Sequence, residues 1–447
     1  MNKITHSLFL ASLLASSLIA SDLDVSLSQD HTYEKQAQAN QAMSIGDWKI
    51  FGDVRVGWVE YDYNNDSKNP DATINQGHKD SKGIYTMPKL SIQSPYYNGL
   101  MFKATIAGAT DFGINDELYE SRNFVFDSTD LESFVILQEG FLFYENGKNK
   151  VLVGREELTT PMVDADDWYM LANSFELARY QNKSLQDTTI NLGYFHKMAG
   201  VWDSGANGTE FHSMADASYV DSRDKESAQG GLAFASYTYN DNKNHQLQVW
   251  DYYGFDLYNI LFVQYDYTNK VSDFSYDAGI QVINFKEVDG NKYTNIDYTL
   301  YQARFDGEFN NGFNFATGIA KYTDGEGQGA TLGAFGGYPY FANGMIFHFF
   351  EAGSLQNAAS YKAQIGYDFA KIGVDNLWVG YRYTMFDLDS KYSTNTDGDA
   401  QNAMALNGIR VSYGGDAGAY FTGTYEHVNL DNEPNTFSLR LIGGYRF

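Results

Sequence analysis

The chain contains no cysteine, which excludes a disulfide framework, a thiol nucleophile and a zinc–thiolate site. It also leaves no cysteine to carry a lipid anchor. Proline is scarce, with 6 in 447 residues, and base is outnumbered, with 31 Lys+Arg against 57 Asp+Glu. The formal charge of −26 and a pI near 4.5 argue against a nucleic-acid partner. Charged residues make up only 20% of the chain, below the about one quarter usual for soluble domains. Mean hydropathy is negative, which excludes a bundle of apolar membrane helices. The place of the missing charge is taken by 35 Tyr, 31 Phe, 6 Trp and 42 Gly. That exchange suits strands and tight turns.

Residues 1–20 read as a secretory signal. Lys3 gives the positive start, Leu8 to Ile19 an interrupted apolar core, and Ala20 precedes the polar Ser21-Asp22. The core is too short and too rich in serine to anchor a helix in a bilayer. Residues 21–46 form a polar lead-in with no clear period, and 47–447 form one repeating domain.

The repeat is a strand. Runs of about ten residues alternate in polarity and stop at turn residues. Trp48, Ile50, Gly52, Val54, Val56 and Trp58 share one face, and Lys49, Phe51, Asp53, Arg55 and Gly57 the other. Ten alternating residues with aromatics near the ends fit a tilted strand crossing a bilayer, with an aromatic girdle at each interface. The connections alternate as well. Short ones, such as Pro95–Asn98 and Asn146–Lys148, take turns with long ones, such as 62–83, 158–173 and 324–357. Nineteen candidate strands result, and an even number is required if both termini lie on the short-turn side. The run 340–351 has consecutive rather than alternating apolar residues and goes to a long loop. The expectation is all-β: a closed antiparallel transmembrane β-barrel of 18 strands. Closure is obligatory, because an open sheet edge in hydrocarbon leaves backbone groups unpaired. The 47–61 and 436–447 strands must therefore lie side by side. Tyr445 and Phe447 end the last strand in the manner of a barrel-assembly signal.

The strand phase opposite the apolar residues collects positive charge. Lys362, Arg382, Arg410 and Arg440 lie on the C-terminal strands and Arg55 on the strand that closes against them. Facing lipid, each would cost about 2–4 kcal/mol at mid-bilayer. They are expected to form one inner wall, with Arg304 and Lys103 inward elsewhere. The remaining inward positions read as Thr, Ser, Asn, Gly and charge, which suits a water-filled lumen. The third long loop carries the opposite sign: Glu156, Asp164, Asp166 and Asp167, with Thr160 and Pro161 at its start. Folded inward, it would oppose the basic wall and create a transverse field. Left outside, it would be a solvated acidic surface loop.

Residues 152–176 contain Gly154-Arg155, Thr160-Pro161, Asp166-Asp167 and Asn173-Ser174-Phe175-Glu176. This segment resembles the constriction loop of the OprD-type outer-membrane porin family, and TLGAFGGYPYF at 331–341 is a second echo. The resemblance implies an inward-folded loop 3, a ladder of lumenal arginines that guides carboxylate-bearing solutes, and a monomer or homotrimer. Trp168 stands where the family often has a basic residue, and Ala172 where it often has proline. Arg155 shares the parity of Val151 and Val153, which points it away from the lumen unless the strand bulges.

No Gly-x-Ser-x-Gly elbow and no His-Glu-x-x-His pair occurs, so no enzyme is expected and no cofactor. Asp397 and Asp399 are weak Ca²⁺ candidates without a full ligand set. The reading is an outer-membrane channel for small hydrophilic solutes. Its expected partners are membrane lipid and lipopolysaccharide and the barrel-assembly machinery. The rivals are a non-conducting adhesin or structural barrel, and a soluble exported glycan-binding β protein.

Overall fold

The computed structural model describes residues 43–62, 81–115, 133–166, 170–200, 211–217, 230–255, 257–288, 295–346, 354–394, 399–415, 417–431 and 435–447. Eighteen antiparallel strands close into one barrel. The first nine are β1 (Trp48–Asp62), β2 (Ser81–Gln93), β3 (Leu100–Ala109), β4 (Phe134–Asn146), β5 (Asn149–Glu156), β6 (Ser174–Asn182), β7 (Thr188–Ala199), β8 (Leu232–Asn240) and β9 (His245–Gly254). The second nine are β10 (Tyr258–Val271), β11 (Phe274–Glu287), β12 (Asp297–Phe309), β13 (Phe313–Tyr322), β14 (Ala359–Asp368), β15 (Leu377–Asp387), β16 (Ala403–Tyr413), β17 (Gly418–Leu430) and β18 (Thr436–Arg446). Two short strands, Met43–Ile45 and His212–Ser213, pair at the margins of β1 and β7. The sequence boundaries hold to within a few residues, and 340–346 is irregular rather than a nineteenth strand.

Each strand pairs with its neighbours in sequence, and β1 with β18 completes the ring. Asp53 lies opposite Arg446 and Asp62 opposite Phe437. Phe447 extends the seam: its N–H donates to the Gly52 carbonyl at 3.0 Å, and the Gly52 N–H donates back at 2.9 Å. The terminal aromatic is thus part of the closure, and no edge is left open.

The short connections carry the turn chemistry that the strand twist demands. Between β2 and β3, Asn98 (φ 51°) and Gly99 (φ 83°) are both left-handed, and Tyr97 and Leu100 exchange backbone hydrogen bonds of 2.8 and 3.0 Å. Two successive left-handed residues give the turn whose twist matches paired strands. The long loops lie at the opposite end. Two connections there are short, the 255–257 link between β9 and β10 and the 431–435 link between β17 and β18.

The outward phase is apolar and exposed, as for Val54, Val56, Ile280, Ile319, Tyr361, Ile365 and Tyr381. In a barrel surrounded by lipid, these side chains meet hydrocarbon. The buried residues are therefore inside the barrel, and the hydrophobic core lies between the strands and residues of the long loops, chiefly those of 157–173 and 323–358.

Candidate functional site

The inward face changes chemistry along each strand. On β10 the inward residues run Tyr258, Ile260, Phe262 near the loop end, then Gln264 and Asp266. On β11 they run Phe285, Ile283, then Gln281 and Asp277; on β12 Tyr298, Leu300, then Gln302, Arg304 and Asp306. On β16, Met404 and Leu406 precede Gly408 and Arg410. On these strands the loop half of the lumen is thus lined by large apolar side chains and the turn half by amides and charge, whereas on β3 and β4 the buried Met101, Phe141 and Phe143 lie nearer the turns than Lys103 and Glu139. This corrects the expectation of a uniformly polar lining. The apolar half packs against residues of the loops, including Met162, Val163, Leu332, Phe335 and Met345.

Among the described residues, two long loops reach deep into the barrel. Loop 3 (157–173) is pinned at Thr160, whose hydroxyl accepts from the Tyr252 phenol of β9 at 2.9 Å and donates to the Val163 carbonyl at 2.8 Å. Pro161, Met162 and Val163 are buried. Loop 7 (323–358) meets it there: the Asp164 N–H donates to the Phe335 carbonyl at 3.0 Å. Gly337 lies against Met162 so closely that a Cβ would sit 2.4 Å from its carbonyl carbon.

Beyond this meeting, residues 339–346 of loop 7 run sideways across the inner faces of β11 to β17. The Gln281 amide donates to the Pro339 carbonyl at 2.9 Å, and the Phe341 N–H donates to Gln302 Oε1 at 2.8 Å. Gly318 of β13 leaves the space the strap needs, because a Cβ there would lie 2.3 Å from the Phe341 carbonyl oxygen. Ser360 then donates to the Ala342 carbonyl at 3.1 Å and Thr384 to the Asn343 carbonyl at 2.8 Å. The Arg382 guanidinium donates to the Gly344 carbonyl at 2.7 Å. Finally, the fully buried Glu426 carboxylate accepts the N–H groups of Met345 at 2.7 Å and Ile346 at 2.6 Å. Buried backbone groups of an irregular segment must find partners, and the wall side chains supply them.

All seven sequence-identified cations lie on the inward phase. Strand register places five of them on an oblique stripe. Arg304 lies opposite Gly318, which lies opposite Lys362; Gln364 opposite Arg382; Arg410 opposite Thr424, which lies opposite Arg440. Glycines interleave with the long side chains. A Cβ at Gly279 would stand 2.6 Å from Asp266 and 2.8 Å from Arg304. Arg55 sits nearer the turn end, beside Asp53 at 3.0 Å. Lys103 lies on β3, three strands around the ring from β18.

These cations are not a bare ladder. Arg304 contacts three carboxylates, Asp266 at 2.8 Å, Asp277 at 2.7 Å and Asp306 at 3.4 Å. Lys103 bridges Glu139 at 2.6 Å, and Glu139 also accepts from Thr105 at 2.6 Å. Arg410 donates to Thr424 at 3.0 Å, with Arg440 as its nearest electrostatic neighbour of like sign. Arg382 is committed to the loop 7 strap and to Gln364, at 2.8 Å. Lys362 has no hydrogen-bond or ion-pair partner among the described residues, and Asp306, Arg304 and Arg382 shape its field.

The acids divide similarly. Glu156 is the last residue of β5 rather than part of the loop, and its carboxylate pairs with Arg179 at 2.7 Å. Glu157, the first loop residue, bridges Lys89. Burial raises its carboxyl above the ordinary range, against the pull of Lys89. Asp164 accepts from the Thr159 hydroxyl at 2.6 Å and from the Asp166 N–H at 3.1 Å, and both acids are half-buried. Asp167 and Trp168 lie outside the described residues, as do Asp397 and the acids of 116–132. Asp399 is described, and among the described residues no three His, Cys, Asp or Glu side chains converge as a metal site. Arg155 keeps its outward parity and pairs with Glu176 at 2.8 Å.

Sequence reasoning missed the glutamines. Gln248, Gln264, Gln281 and Gln302 lie opposite one another across β9 to β12. Gln302 donates to Gln281, and Gln281 to Gln264 at 2.7 Å, so the row carries the strap. The available signal was an amide at the midpoint of the inward phase on four strands in succession. Arg179, Glu139 and Glu426 were missed because each partner lies on another strand or a distant loop.

Comparison with known proteins agrees with this architecture. The crystal structure of Pseudomonas aeruginosa OccK9 (OpdG) is similar with a TM-score of 0.73 at 13% identity, covering 90% of this chain and 98% of that one. The Pseudomonas aeruginosa OpdK structure with vanillate gives 0.71 at 14%, and Acinetobacter baumannii OccAB4 gives 0.71 at 16%, each with the same coverage of 90% and 98%. A search of the curated proteins finds no match. Residues 146–415 match the family described as outer membrane porin, OprD family. With eighteen strands, two loops inside the lumen and that match over more than half its length, the chain belongs to the OprD family of outer membrane porins.

Proposed function

We propose that the barrel is a passive diffusion channel for small hydrophilic solutes, narrowed by loops 3 and 7 and biased by the oblique cation stripe. The stripe carries the reading: Lys362, Arg410 and Arg440 stand in the polar half of the inward face, where charge costs little only if water reaches it. A carboxylate-bearing solute would find successive cations there, while the acids of loop 3 would set the opposite sign across the opening. The total charge of −26, with acids concentrated in loops such as 111–132, should enrich cations at the mouth. A weak overall cation preference is therefore expected, with the inner wall guiding anionic groups. Residues 1–20 serve as the export signal in this reading, 21–46 as a lead-in, and Tyr445 and Phe447 as the assembly signal. A homotrimer is the assembly the sequence resemblance suggests.

Planar-bilayer recording with salt gradients tests this. Arg410→Glu with Arg440→Glu should shift reversal potential toward stronger cation preference and slow the entry of small aromatic carboxylates. The panel should include vanillate, which occupies the OpdK structure. Unchanged selectivity and conductance would remove the stripe from the conduction path. The second reading, a non-conducting barrel, draws on the dry apolar packing in the loop half of the lumen. Absence of single-channel current from folded, heat-modifiable protein would favour it.

A further inference from the structure

The outward face of β4 to β9 is apolar along one register row and charged along the next. Leu142, Val153, Ala178, Tyr194, Ala233 and Tyr253 lie opposite one another in succession. Val153 is 56% exposed and Leu142 60%. One step toward the loop end the row becomes Gly140, Arg155, Glu176 and Lys197. The apolar band therefore ends between the two rows. Tyr194, Tyr253 and Phe255 cluster at this limit as edge-on aromatic pairs, with centroids 6.1 and 5.2 Å apart. An aromatic belt of this kind sits at headgroup depth. On β9 and β10, Asn259 lies opposite Tyr253 in the same row, and its amide donates to Asp251, one step toward the turn end, at 2.7 Å.

A bulge builds the charged patch. Register slips between Glu176 and Leu177, so Leu177 lies opposite Phe195 while Glu176 lies opposite Lys197. His196 is the extra residue, exposed and stacked on Tyr194 at 6.4 Å. Without the slip, Lys197 would follow strict alternation into the barrel; with it, Lys197 joins His196 on the outside. Gly140 opposite Arg155 leaves the guanidinium room on the same face. Glu176 holds Arg155 through Nε at 3.0 Å and Nη2 at 2.8 Å, Nη1 donates to the Leu137 carbonyl at 3.4 Å, and the Phe211 ring stacks on the guanidinium at 3.9 Å. Lys197 has no hydrogen-bond or ion-pair partner among the described residues. The patch thus offers a fixed guanidinium, an uncommitted ammonium and an exposed imidazole against one carboxylate.

We propose that Arg155, Lys197 and His196 seat a phosphate of the outer-leaflet glycolipid, the acyl chains of which lie on the apolar row beneath. Depth, sign and shape agree. The cations stand one row above the apolar limit, where lipid phosphates lie. A basic patch beside an apolar surface is the arrangement that retains anionic headgroups. The proposal needs the outer-membrane setting but not conduction, so it stands or falls apart from the channel reading.

The test uses the full-length protein in detergent micelles, titrated with purified lipid A and followed by native mass spectrometry. The parent should retain lipid A through purification. Lys197→Glu, which removes one positive charge and adds a negative one, should weaken lipid A binding by about thirtyfold, at about fivefold for each unit of charge. Lys197→Gln should lose about fivefold. Lys243→Glu, on a turn at the opposite end, should leave binding unchanged. Heat-modifiable gel mobility serves as the folding control for each variant. Equal lipid A affinity in parent and Lys197→Glu would overturn the proposal. So would displacement of lipid A by millimolar inorganic phosphate, since that would make the site one for free anion. A Lys197→Glu protein that changes its number of copies but not its lipid affinity would assign the patch to subunit contact instead.

Discussion

The seat of loop 7 at Glu426 allows a quantitative forecast. The carboxylate is fully buried and accepts two backbone N–H groups, from Met345 at 2.7 Å and Ile346 at 2.6 Å. Hydrogen bonds to a charged acceptor are worth about 1.5–3 kcal/mol each. Glu426→Gln preserves shape but offers one acceptor oxygen, and its NH₂ confronts a second N–H. One bond survives in neutral form, and one buried donor is left unmet at a cost of about 1–3 kcal/mol. The loss at this end of the strap is therefore about 2–4 kcal/mol. The anchors upstream, from Gln281, Gln302, Ser360, Thr384 and Arg382, are untouched. Residues 344–346 should then lift while 339–343 stay. Hydrogen exchange followed by mass spectrometry on the full-length barrel reads this directly. Amides in a peptide spanning 340–350 should exchange about thirty to eight hundred times faster, with strand peptides unchanged. Glu426→Asp, which keeps the charge at shorter reach, should fall between. Parent-like exchange at Met345 and Ile346 would refute the assignment of Glu426 as the latch. A uniform rise in exchange over β15 to β18 would show that the carboxylate holds the barrel rather than the loop.

Two further outcomes follow from the same contacts. Lys103→Met leaves Glu139 buried without its ion partner and should destabilise the barrel by about 3–5 kcal/mol, lowering the temperature of heat-modified gel mobility; adding Glu139→Gln should restore much of the loss, and a single variant as stable as the parent would contradict the buried bridge. Deleting Phe447 removes both hydrogen bonds to Gly52, and the yield of folded barrel in refolding into vesicles should fall several-fold while the pre-folded protein keeps its mobility; equal yields would remove Phe447 from the assembly step.

The architecture was legible because its determinants are local. Alternation tells which side chains of a strand share a face, and the hydrocarbon around the barrel forbids the wrong face to Arg55, Lys362, Arg382, Arg410 and Arg440. Parity and backbone pairing required β1 to meet β18, and their register realises it. The consecutive apolar residues of 340–351 marked a segment that could not be a half-lipid, half-lumen strand; Phe341, Ala342, Met345 and Ile346 lie buried inside, and 347–351 lie outside the described residues. Local pattern could not tell where that segment goes. It reads as an ordinary loop until β11 to β17 stand side by side and present Gln281, Gln302, Ser360, Arg382, Thr384 and Glu426 in sequence.

Composition and periodicity thus determined the strand number, the closure, the inward cations and the lipid-facing girdle, since each depends on one residue and its neighbours two positions away. Tertiary structure alone decided the rest. Arg304 meets Asp277 across one strand boundary and Asp266 across two, Arg179 meets Glu156 across one, and Glu426 meets a loop about eighty residues earlier in the chain. Register sets which side chains face each other, and register is a property of paired strands. The result, along β10 to β12 and β16, is an inner face divided into an apolar part covered by loops and a polar part left for charge.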